Sequence, residues 1–154
     1  MIDNIEHVVV RRGELTNNLL DFVVTDCLLF VDDSIPKEDI VCAVDKVNLL
    51  LNTEYMITDA LNVLDINKKQ RSKLKQYFDD LSDIDFVKIY FVATELKSVL
   101  LAILLIENKI STDEAFSLSI YEEDYQQKKW GINEEIIERQ NTIKARLYDI
   151  CEIC

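Results

Sequence analysis

Apolar positions crowd one stretch of the chain. From Phe86 to Asn108 the sequence runs FVKIYFVATELKSVLLAILLIEN, and its few polar residues gather on no single face. Tyr90, Ala93, Leu96, Leu100 and Ile103 repeat at three-to-four spacing, and Val92, Val99 and Ile106 follow a second stripe. Two stripes predict a central helix over 86–108 with neighbours on at least two sides, as at the centre of a bundle. A membrane span is excluded by length. The uncharged run from Ser98 to Ile106 falls far short of the roughly 18 to 20 residues a span needs, and Lys88, Glu95 and Lys97 interrupt any longer window.

A second helix is predicted over 111–131. Ser111 and Glu114 have the spacing of a capping box, and Gly131 stands where a left-handed stop is wanted. At about 100° per residue, Tyr121, Tyr125, Leu118, Ala115, Trp130, Phe116 and Ile120 share one wide apolar arc. Asp113, Ser117, Asp124 and Lys128 fill the solvent side. Glu122 falls between Leu118 and Ala115, and Glu123 between Trp130 and Phe116. A carboxylate on a buried stripe is costly unless paired. Glu122 therefore either finds a donor on a neighbouring helix or marks a part of the arc that faces a partner.

The remaining pattern is shorter-ranged. Ile2 to Arg12 reads as a short strand or a frayed arm. Leu15, Leu19, Phe22 and Val23 give a short amphipathic helix, and the compact apolar run 27–31 reads as extended. Ser34 and Pro36 start a helix carried by Ile40, Val44, Val47 and Leu51. The mixed stretch 56–66 suggests extended pieces or a small hairpin. A basic helix follows over 68–81, packed through Leu74, Phe78 and Leu81. Asn133, with Glu134 and Glu135 behind it, caps a last helix. Ile136, Gln140, Ile143, Leu147, Ile150 and Cys154 then follow near-heptad spacing. The fold class expected is mostly α, a compact helical bundle with minor extended segments.

Composition narrows the function classes. Two glycines and one proline among 154 residues argue for helices with short turns. Twenty-nine acids against 17 bases give a net charge of −12, which would repel a nucleic-acid backbone or an anionic membrane. The acidic N-terminus MIDNIEHVVV carries no signal or transit pattern, so a bacterial cytoplasm is expected, with a mitochondrial matrix as the alternative.

Candidate chemistry is sparse. Cys151 and Cys154 form one pair at the C-terminus, and Cys27 and Cys42 lie in predicted apolar stretches, so free thiols are expected rather than a zinc site. The single histidine, His7, supports neither a di-iron centre nor His-based nucleophilic catalysis. No glycine-rich phosphate loop is possible. Glu122 and Glu123 point about 100° apart and cannot flank one bond. Neither an enzyme nor a cofactor is expected. The residues alone lead to an acidic, helical interaction module.

One stretch goes further. LKSVLLAILLIENKISTDEAFSLSIYEEDYQQKKWG resembles the C-terminal helical domain of F-type ATP synthase assembly factor 2, the α-subunit chaperone. The matching positions are Glu114, Ala115, Leu118, Ser119, Glu122, Glu123, Tyr125, Gln126, Trp130 and Gly131. Upstream, LLDFVVTDCLLF is similar to the family's entry helix and the segment after it. In that family the helical domain follows an N-terminal β-rich domain. The expectation here is a single helical domain over 1–154 without it. The resemblance implies a chaperone that binds the free ATP synthase α subunit and covers the surface that later packs against β. It also implies partner-binding roles for Glu122, Glu123 and Asp124, with Tyr121, Tyr125 and Trp130 shaping the site. The alternative is a helical adapter with a different client.

Overall fold

Seven of the eight residues of VLLAILLI, Val99 to Leu105, are buried, and the other helices are arranged around them. The computed structural model describes residues 2–23, 26, 28, 29, 36–57 and 68–152. Among these there are nine helices and no strand: α1 (Ile2–Val10), α2 (Arg12–Phe22), α3 (Glu38–Leu51), α4 (Lys68–Asp80), α5 (Asp83–Leu96), α6 (Val99–Ile106), α7 (Thr112–Ser119), α8 (Tyr121–Trp130) and α9 (Glu134–Cys151). The mostly α bundle expected from sequence is what forms. No described helix is long and apolar enough to cross a membrane.

The central helix is two helices, not one over 86–108. Lys97 takes a left-handed conformation (φ 58°, ψ 33°) and ends α5. Ser98 then caps α6, its hydroxyl oxygen accepting from the Leu101 amide at 3.0 Å. The reason for the break lies elsewhere in the chain. Asp26 is fully buried and accepts from Ser98 Oγ at 2.6 Å, from the Leu100 amide at 3.1 Å and from the Leu28 amide at 2.9 Å. Its carboxyl thus sits on the first turn of α6, where amides lack intrahelical partners. An unbroken helix would consume those amides and leave the acid stranded.

The extended segments expected near 27–31 and 56–66 need correction. Leu28 and Leu29 lie in a turn, with the Leu29 amide donating to the Asp26 carbonyl at 3.0 Å, and both are buried. Tyr55 to Ile57 form no strand either. Asn48 holds this stretch against α3: its Oδ1 accepts from the Tyr55 amide at 2.8 Å and its Nδ2 donates to the Tyr55 carbonyl at 3.0 Å. Residues 27, 30, 31 and 58–67 lie outside the described residues. The N-terminal arm is helical too, as α1 packs on α5 and buries Val8.

Arg12 ties α2 to the α4–α5 corner. It donates to the Phe78 and Leu81 carbonyls at 2.7 Å each and to Asp83 at 2.6 Å, with its guanidinium 4.8 Å from the centre of the Phe86 ring. Those carbonyls end α4 and have no intrahelical donor. Arg12→Ala is expected to lower stability by about 2 kcal/mol, through two lost charge-assisted bonds and the ring contact. A urea midpoint unchanged from wild type would contradict this.

α5 and α6 pack most closely on each other. α9 lies along α5, α3 against α6, and α7 bridges α6 and α9. α8 is the outlier: its close packing is with α7, and it buries only Gln127.

Candidate functional site

The site begins at the joint between α7 and α8. The helix predicted over 111–131 stops at Ile120 (φ −104°, ψ 10°) and restarts. Ser119 sits in the last turn of α7 and donates to the Phe116 carbonyl at 2.7 Å, a back-bond that bends helices. The N-terminal half behaves as expected. Ser111 and Glu114 form the capping box, and Ala115 and Phe116 enter the core. Past the joint the phase changes, so the single apolar arc does not exist. Tyr121 and Tyr125 still pack against the core, half-buried. Glu122, expected in the arc's centre, is exposed.

The three neighbouring acids have different surroundings. Glu123 is tied to α9, accepting from Gln140 Nε2 at 2.7 Å and from Arg139. Asp124 pairs with Lys128 one turn on at 3.2 Å, an exposed pair of the kind that contributes little. Glu122 has no hydrogen-bond or ion-pair partner among the described residues. It lines a groove of about 560 Å³ together with Leu118, Gln126 and Trp130, whose far walls are Ile40 of α3 and Ile136 of α9. Trp130 is 76% exposed, the Lys129 ammonium lying 5.2 Å from its ring centre.

A corner closes the groove. Gly131 has φ 110° and ψ 157°, a region that side-chain-bearing residues avoid. Buried Gln127 accepts the Asn133 amide at 3.3 Å, and Asn133 caps α9 by accepting from the Glu135 amide at 2.9 Å. The predicted cap of the last helix is therefore present. A Cβ on Gly131 would meet open space, so Gly131→Ala tests the backbone alone. It is expected to lower stability by about 2 kcal/mol. Equal thermal stability would show that the corner relaxes freely.

Sequence reasoning missed the groove's α3 wall and the buried polar residues Gln127 and Gln140. A glutamine inside a helical stripe was the available signal for both. No group of three or more His, Cys, Asp or Glu side chains among the described residues could hold a metal ion. Cys42 is exposed and Cys151 half-buried, both as free thiols.

No protein-family model and no curated protein matches the chain. Solved structures do. Atp12 from Paracoccus denitrificans superposes with a TM-score of 0.87 at 22% identity, covering 96% of this chain and 66% of that one. The chain shares the fold of Atp12. An Asp-to-Lys variant of the Paracoccus Atp12 gives the same TM-score and identity, with 65% of its chain covered. A candidate chaperone from Agrobacterium tumefaciens gives 0.80 at 17% identity, over 96% of this chain and 57% of that one. The chain thus spans about two thirds or less of the length of these structures. The Atp12 fold accounts for several positions of the family pattern: Glu114 caps, Ala115 packs at 0% exposure, Ser119 bends, Glu123 braces α9 and Gly131 turns the corner. It leaves Glu122, Gln126 and Trp130, all at the groove, without such a task.

Proposed function

We propose that the chain is an assembly chaperone for the F-type ATP synthase. On this reading it binds the free α subunit and shields the surface that later packs against β. The observation that carries the proposal is the gathering of Glu122, Gln126 and Trp130 at one groove on a peripheral helix. These residues belong to the family pattern yet stabilise nothing visible within the chain. The fold shared with Atp12 and with a candidate chaperone supports the same reading. Glu122 then serves as the recognition carboxylate, and Tyr121 and Tyr125 hold α8 against the core while Trp130 supplies apolar contact. Glu123 positions α8 through α9, and Asp124 lies at the rim. No bond is made or broken. Release follows from competition, since β offers α a larger interface than a groove can.

Co-expression with the α and β subunits of the same organism, followed by size exclusion, tests this. A complex with α that dissolves when β is present is the expected result. A folded chain that forms no complex with α would overturn the proposal and point to an adapter for another client.

A further inference from the structure

Two grooves meet at the α7–α8 joint. A second groove of about 300 Å³ lies beside the first, and Leu118 and Tyr121 line both. α3 walls each of them, with Ile40 in the first and Asp39 and Cys42 in the second. Their unspent charge has one sign. Glu122 and Asp39 have no partner among the described residues, whereas Glu114 is held in its capping box. The cation of the second groove, Lys46, reaches the Lys109 carbonyl at 3.5 Å. Next to the groove's corner, Ile132 is 76% exposed, as Trp130 is.

We infer that the two grooves together hold one segment of a protein partner that carries a lysine or arginine flanked by apolar side chains. Its cation lies on Glu122 and Asp39, and its apolar neighbours lie on Ile40, Leu118 and Trp130. The inference rests on reading α8 as the recognition helix and adds the chemistry of what α8 recognises. Charge complementarity selects the occupant. Covering these carboxylates without a cation would strand them out of water, and a cation placed there gains as water leaves. A nucleic acid or a second copy of this chain, itself carrying −12, brings charge of the wrong sign.

The two grooves carry their own reporters. Trp130 is the sole tryptophan and lines the first, and Cys42 lines the second. With the full chain and saturating purified α subunit, alkylation of Cys42 by iodoacetamide, read by peptide mass spectrometry, should slow at least fivefold. Trp130 emission should shift to the blue. Glu122→Lys and Asp39→Lys should each weaken α binding at least tenfold, while Asp45→Lys, exposed on α3 outside both grooves, leaves it unchanged. A bound α that alters neither reporter, or that binds Asp39→Lys normally, overturns the inference and spares the chaperone reading. A tryptophan-free Lys/Leu amphipathic peptide and its Glu/Leu counterpart, followed by Trp130 emission, separate the two ideas. Glu122-dependent binding of the Lys peptide alone supports the groove chemistry even if α fails to bind. Equal responses, or none, overturn it.

Discussion

Asp26→Asn is expected to lower stability at pH 5 by more than it does at pH 7.5. The folded environment of Asp26 is dry, and burial raises its carboxyl to about 6 despite bonds from Ser98, Leu100, Leu28 and Val99. A group whose folded value lies above its unfolded one favours the native state when protonated. Its stabilisation is fully present below about 3.8 and is lost as the pH rises through about 6. Between pH 7.5 and 5 the wild type should gain about 1 kcal/mol from this residue, and the asparagine variant should gain none. The asparagine also turns an amide NH2 toward Ser98 or the Leu100 amide, donor against donor. That costs about 2 kcal/mol at either pH. Asp26→Ala leaves several buried donors empty at the start of the central helix and should cost about 3 kcal/mol. The difference between wild type and Asp26→Asn, measured by urea unfolding at the two pH values, isolates the residue from the other 28 acids. A gap that narrows on acidification would mean that the donors hold the carboxylate ionised, against the pull of burial.

Asp26 also shows where sequence reading stops. Its place beside an apolar run was visible, but hydropathy cannot say that the run folds into a turn beneath another helix. The same blindness joined α5 to α6. Lys97 in the left-handed region breaks the chain without a glycine or proline to announce it. A signal was there, since Ser98 ahead of VLLAILLI has the form of an N-cap. α3, α4 and α9 were legible because each has one apolar stripe and a clear start, and their buried residues match those stripes. Of the site, α8 and its acids were legible. Their differing roles were not, because they depend on Arg139 and Gln140 reaching across from α9 and on α3 forming the opposite wall. Those are tertiary facts with no local pattern.

Neighbouring Glu122 and Glu123 should therefore give opposite phenotypes. Glu122→Lys is expected to reduce α-subunit binding about a hundredfold or more with unchanged helicity and melting temperature. Nothing within the chain is lost, because the side chain is exposed and unpaired among the described residues. In the complex, however, the new ammonium faces the cation that Glu122 would have met, and like charges covered together cost several kcal/mol. Glu123→Ala removes the acceptor of Gln140, which is 8% exposed, and unpairs Arg139. It should lower stability by about 1 to 2 kcal/mol. It should weaken α binding only as far as α8 loosens, so that lowering the temperature restores it. The two variants are compared by circular dichroism melts and by affinity for purified α at two temperatures. If Glu123→Ala lost binding while keeping its melting temperature, the recognition carboxylate would be Glu123. If Glu122→Lys lost helicity, Glu122 would be part of the scaffold, and the groove would have to recognise its partner through Trp130 and Gln126 alone.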